Sequence, residues 1–176
     1  MTRISLVAAA STALSAFAIG ACSTSSMSLG AGPKQTFSLT ASDGTARGTI
    51  TVREQGSQAK LTVTATGMPA GTHGVHLHEK GLCQGPTFTS AGGHWNPTAR
   101  KHGRDNPAGA HVGDLPNLEI PASGRGTATF SVASTSAMVD ADGTAFVVHA
   151  KADDYRTDPS GNSGDRIACA VIAAPR

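Results

Sequence analysis

The chain has 176 residues, with 14 Lys and Arg against 12 Asp and Glu, and 39% of its residues are hydrophobic. A charge this close to balance gives no electrostatic case for nucleic acid, and the hydrophobic share is too high for a disordered chain. One core is expected, built mainly from aliphatic side chains, because the aromatic share is only 4%.

In chain order, the segment 1–21 opens with Arg3, continues as an apolar run from Ile4 to Gly20 and closes on small residues. This is the pattern of a secretory signal. A membrane span is the poorer reading, since Ser11, Thr12 and Ser15 interrupt a run already short of the ~20 apolar residues that cross a bilayer. Ile19-Gly20-Ala21-Cys22 resembles a bacterial lipobox, which predicts a lipid on Cys22 and a membrane-anchored protein of the periplasm or cell envelope. Cleavage beyond Cys22 would instead remove that cysteine. Residues 22–33, dominated by small and polar residues, read as a flexible tether leading into a domain at 34–176. From there, alternating apolar and polar residues rich in Val, Thr, Ile and Phe predict strands at 36–41, 47–54, 59–66, 72–79, 117–120, 126–133, 143–150 and 166–172. Asp43-Gly44, Ala70-Gly71 and Asp142-Gly143 supply turns, and no segment after the leader sustains a helical period. The expected fold is all-β: an eight-stranded flattened Greek-key barrel or immunoglobulin-like β-sandwich with two long functional loops.

Six of the seven histidines, with Asp114, carry the chemistry. His76 and His78 sit two apart in a strand-like stretch, so both imidazoles leave one face and can reach one ion. Two half-exposed histidines on an ordinary sheet would share that spacing. A second group weighs against this: His94, His102, His111 and Asp114 lie in a Gly- and Pro-rich segment, 92–116, without strand or helix period. Loops of that length are usually functional or disordered, and a bound metal would supply order that no hydrophobic core provides. Three imidazoles and a carboxylate make a closed tetrahedral zinc site, whereas an imidazole-rich site with an accessible position suits copper.

The runs Gly-Val-His-Leu-His-Glu (74–79), Gly-Gly-His (92–94), Gly-Ala-His-Val-Gly-Asp-Leu-Pro (109–116), Val-Val-His-Ala-Lys-Ala-Asp-Asp (147–154) and Gly-Asn-Ser-Gly-Asp-Arg-Ile-Ala-Cys (161–169) together closely resemble the copper/zinc superoxide dismutases in their bacterial exported form. The resemblance runs from about Lys34 to the end of the chain. It implies copper ligands at His76, His78, His94 and His149, and zinc ligands at His94, His102, His111 and Asp114, with His94 bridging one copper and one zinc per chain. It also implies an anion-holding arginine at Arg166, an aspartate at Asp153 that links a copper histidine to a zinc histidine, and a disulfide between Cys83 and Cys169. The implied activity is dismutation of superoxide anion to dioxygen and hydrogen peroxide, a defence of the cell envelope against oxidation. A non-catalytic copper-binding envelope lipoprotein is the alternative, disfavoured because no ligand is missing.

Val75 stands where the family usually has an aromatic residue and Ala150 where it often has glutamate, so altered packing is expected there. His73, of opposite strand parity to His76 and His78, reads as a satisfied or exposed turn histidine. Arg100, Lys101, Arg104, Lys151 and Arg156 join Arg166 in the long loops, either as an attracting field for a small anion or as solvated charge. Relatives occur both as monomers and as homodimers, and no exposed apolar stripe in the sequence selects between them.

Overall fold

The computed structural model describes residues 32–133 and 140–175. The expected leader and lipidated Cys22 lie outside the described residues, as does the tether up to Ala31. The strands are β1 (Lys34–Thr40), β2 (Ala46–Gln55), β3 (Gln58–Ala65), β4 (Gly71–His73), β5 (Val75–His78), β6 (Leu118–Ile120), β7 (Gly126–Ala133), β8 (Thr144–His149) and β9 (Arg166–Ala173). Apart from one 3₁₀ turn at Thr89–Ala91, no helix occurs among the described residues.

Seven strands form an antiparallel sheet in the order β5-β8-β9-β1-β2-β3-β7, and β4 pairs with β6 in a second. Since β4 runs into β5 and β6 into β7, the short pair joins the two edges of the long sheet, which curls. The eight expected strands become nine because the stretch 72–79 changes partner at Gly74. Its first part pairs with β6 and its second with β8.

Period-two patterning determines the core. Ile50 and Val52, Leu61 and Val63, Val75 and Leu77, Phe146 and Val148, and Ala168 and Ala170 alternate inward and are buried. On β1, β2, β3 and β7 the opposite face is polar and meets solvent. β5 and β8 differ, because every residue of both is buried. Their outer faces lie beneath the loops 79–117 and 150–165.

A second, smaller apolar cluster seals part of that outer face. Phe88 and Ala91 of the first loop pack on Ala145, Val147 and Cys169. The Cys83–Cys169 disulfide holds the loop there, with Cα atoms 5.7 Å apart and a sequence separation of 86. Closing so long a loop restricts the unfolded chain, which the chain-entropy account values at roughly 4 to 5 kcal/mol. Cys169→Ser is therefore expected to lower unfolding free energy by about 2 to 5 kcal/mol in denaturant titrations under oxidising conditions. An unchanged midpoint would show that the apolar cluster alone secures the loop.

Candidate metal centre

β5 is an edge strand, and its outer edge would expose unpaired backbone groups. The 79–117 loop takes that edge. Leu77 N–H donates to Gly113 O (2.9 Å), Trp95 N–H to Leu77 O (2.8 Å), and Gly113 N–H to Trp95 O (2.9 Å). Their sequence neighbours are thereby set beside the strand, His94 bridging to His78 and Asp114 to His76. No side chain could replace hydrogen at Gly113, where an added Cβ would collide with Leu77 O.

His76, His78, His94 and His149 form one buried quartet whose ligand atoms all lie within 4.8 Å of one another. One nitrogen of three rings is anchored as a donor. His76 Nε2–H bonds Asp153 Oδ2 (2.8 Å), His78 Nδ1–H bonds Gly92 O (3.0 Å) and His149 Nδ1–H bonds Gly164 O (3.0 Å). The fourth, His94, has Nδ1 2.9 Å from Asp114 Oδ1. The other nitrogens, His76 Nδ1 and Nε2 of His78, His94 and His149, are the buried side-chain polar atoms without a hydrogen-bond partner among the described residues. Each such atom ordinarily costs about 1–3 kcal/mol, so four gathered in one place are lone pairs directed at a common ligand. Nitrogen ligands about 2 Å from one ion lie at most about 4 Å apart, a span this quartet reaches with little adjustment.

The second group converges on Asp114. Its Oδ1 lies 2.9 Å from His94 Nδ1, 3.1 Å from His102 Nδ1 and 3.2 Å from His111 Nδ1, and the His94 and His111 Nδ1 atoms are 3.4 Å apart. A tetrahedron with ligands about 2.0–2.1 Å from its centre has edges of about 3.3–3.4 Å, close to this spacing. His76 also falls within 4.8 Å of His94, His102 and Asp114, but its Nε2 is held by Asp153 and its Nδ1 belongs to the quartet. The opposite carboxylate oxygen of Asp114 accepts N–H bonds from Gly103 (2.9 Å) and His111 (3.0 Å), which fix its orientation.

Asp153 joins the two groups: Oδ2 accepts from His76, and Oδ1 accepts from His102 Nε2–H at 3.0 Å. Asn117, just before β6, grips the backbone of Asp153 in both directions, its Oδ1 taking Asp153 N–H (2.9 Å) and its Nδ2 donating to Asp153 O (3.1 Å). Gly161 lies directly against this carboxylate with φ of 64°, and a Cβ there would collide with Asp153 Oδ1. Neither Asn117 nor Gly161 carries a ligand signature, so spacing rules pass over them. Gly161 does open the run 161–169 that carries the resemblance, whereas Asn117 lies just outside the run 109–116.

A family model described as copper/zinc superoxide dismutase (SODC) matches residues 46–172. The chain belongs to this family. It is 42% identical over 139 residues to the superoxide dismutase-like protein YojM of Bacillus subtilis, covering 74% of this chain and 71% of that one. It is 40% identical over 141 residues to a copper/zinc superoxide dismutase of Caulobacter vibrioides, covering 75% and 81%. A crystal structure of a SOD-like protein from Bacillus subtilis superposes with a TM-score of 0.74 at 39% identity, covering 78% of this chain and 97% of the other.

Within this superoxide dismutase family member, burial sets the charge state of the quartet. It pushes His76 down to about 3 despite Asp153, His149 down to about 4, and His78 and His94 below the usual imidazole range. All four remain neutral and able to ligate at neutral pH. His102 is the opposite case: burial lowers it, but carboxylates against both nitrogens outweigh this and bring it up to about 9. Arg166, at the start of β9, donates Nη1–H to Phe88 O and Nη2–H to Gly92 O, both at 2.7 Å. Gly92 O therefore serves both Arg166 and His78. The guanidinium is near enough to lower His78 and His149 further, after burial and His94.

His73 is a buried, satisfied histidine, with Nδ1 2.8 Å from His149 O and Nε2 3.0 Å from Pro69 O. Val75 packs in the main core and Ala150 is exposed. Two of the basic loop residues hold loop to loop: Lys101 pairs with Asp158 at 2.9 Å, and Arg104 lies 3.8 Å over the Tyr155 ring. Arg100 donates to Gly109 O (2.9 Å).

Proposed function

We propose that this protein dismutates superoxide to dioxygen and hydrogen peroxide, with copper held by His76 Nδ1 and the Nε2 atoms of His78, His94 and His149. Zinc is assigned to the Nδ1 atoms of His94, His102 and His111 and the Asp114 carboxylate. The observation that carries this reading is the set of four buried, unpartnered imidazole nitrogens, each on a ring whose other nitrogen is already fixed. When bound, copper supplies a one-electron redox couple and zinc a fixed positive charge.

The chain's own residues do the rest. His94 has one nitrogen toward each group, so its Nε2 is the atom that can hold and release a proton while Nδ1 stays with the second group. Arg166 presents a cation fixed by two carbonyls, suited to holding a small anion by a charge-assisted hydrogen bond. Gly92 O and Gly164 O keep His78 and His149 in the tautomer that points Nε2 inward. The test is superoxide consumption by the purified protein with copper and zinc quantified in the same sample. One of each per chain with fast, copper-dependent loss is expected, and full occupancy without turnover would overturn the reading.

For Arg166→Ala the expected result is a metal-replete enzyme slowed about tenfold or more, with turnover less sensitive to ionic strength. A copper-free variant would make the role of Arg166 structural. Acidification should separate the two metals. A proton competes with zinc for His102, whose proton affinity is raised, whereas His76 and His149, depressed to about 3 and about 4, resist protonation until far lower pH. Zinc should therefore leave first and copper only at lower pH, as read by metal content after dialysis at stepped pH.

We further assign 1–21 as a leader, 22–33 as a tether and 34–176 as the dismutase domain, with Cys22 lipidated and the protein anchored at the cell envelope. The disulfide supports an oxidising compartment. Mass spectrometry of the membrane-bound protein would find diacylglycerol on Cys22, and a soluble mature form starting beyond it would sink the anchor.

A further inference from the structure

The solvent face of β1, β2, β3 and β7 carries three aligned rows. Register places Thr36, Thr51, Thr62 and Thr129 side by side, Ser38, Thr49, Thr64 and Thr127 in the next row, and Lys34, Arg53, Lys60 and Ser131 in the third. Adjacent strands lie about 4.8 Å apart and rows about 6.7 Å apart, so the face is a grid of hydroxyls with a cationic border. Hydroxyls pair within a row, Thr36 with Thr51 at 3.4 Å and Thr62 with Thr129 at 3.2 Å. An open hollow of about 400 Å³ lies over the grid, lined by Lys34, Arg53, Lys60, Thr51, Thr62 and Thr64. A second hollow adjoins it at Thr64 and ends on Arg125.

Two features separate this face from an ordinary solvated sheet. The chain has nearly as many acids as bases, yet no carboxylate stands in these rows. Lys34, Arg53 and Lys60 also sit directly opposite one another across three strands, an arrangement that repels and lowers stability unless an anion lies across it. No aromatic side chain stands in the rows to stack a base, and no apolar one to enter a lipid surface or centre a protein interface. Threonine hydroxyls both donate and accept, as sugar hydroxyls do.

We infer that this face docks an acidic polysaccharide, its carboxylates on the Lys34–Arg53–Lys60 row and its hydroxyls on the threonine grid. The site is distinct from the metal centre, since its rows stand on β1, β2, β3 and β7 and share no residue with the two histidine groups. The test is calorimetric titration of the full chain with alginate, a polyuronate, beside neutral dextran, duplex DNA and phosphatidylglycerol vesicles. Alginate is expected to bind and dextran not. Lys34→Ser/Arg53→Ser/Lys60→Ser should weaken alginate binding about tenfold or more, and the charge-preserving Thr51→Val/Thr62→Val about tenfold, with superoxide turnover unchanged in both. Wild-type alginate affinity in either variant would overturn the inference. So would DNA or vesicles binding as tightly as alginate.

Discussion

Replacing His149 by alanine is expected to abolish superoxide turnover while zinc uptake stays near that of the parent protein. His149 contributes one of the four inward nitrogens, and its ring lies 4.8 Å from that of His76. It shares no atom with the group around Asp114, so the zinc site loses nothing directly. The backbone at 149 also survives the change: its N–H donates to Gly74 O at 2.8 Å and its carbonyl faces His73, contacts that need no side chain. What disappears is a ligand and the Gly164 bond that aimed it. Loss of an outer partner alone typically costs a metal site 10- to 100-fold, so loss of the ligand should cost copper at least about 100-fold in affinity. Competition against a copper chelator, zinc content and turnover, measured on one preparation, decide the matter. Full activity in this variant would refute the proposed site.

The parts of this architecture that depend on side-chain identity could be read from the sequence. Strand parity placed His76 and His78 on one face, and the Gly- and Pro-rich stretch around His94, His102 and Asp114 marked itself as ordered by something other than a core. The parts that depend on backbone could not. Gly92 O and Gly164 O, which aim His78 and His149, are carbonyls that every residue possesses, so nothing in composition singles them out. The change of partner at Gly74 was hidden for a related reason. The expected strand 72–79 runs straight through it, while pairing passes from β6 to β8, a property of the folded sheet and not of local pattern. Asn117 and Gly161 act through close approach to Asp153, which only the meeting of two distant loops creates.

That meeting makes Asp153 the most consequential residue that is not itself assigned to a metal. Asp153→Ala is expected to weaken copper and zinc together, each by about 10- to 100-fold, and to destabilise the fold. The carboxylate is buried and its two oxygens are divided, Oδ2 to His76 and Oδ1 to His102 and the Tyr155 N–H. Truncation would leave two buried imidazole N–H groups without acceptors, at about 1–3 kcal/mol each. Either ring could then turn or change tautomer, and the lone pair assigned to the metal would be lost with it. A ligand substitution acts differently, because removing His149 touches copper alone. Gly161→Ala gives a second check, since its added methyl would displace the same carboxylate, and crowd the His102 Nε2 bonded to it, while leaving the charge in place. If Gly161→Ala reproduces the joint loss of both metals, the position of Asp153 matters as well as its charge. If Asp153→Ala instead lost only one metal, the two groups would be separate sites that happen to share a histidine, and the link through Asp153 would carry no energy between them.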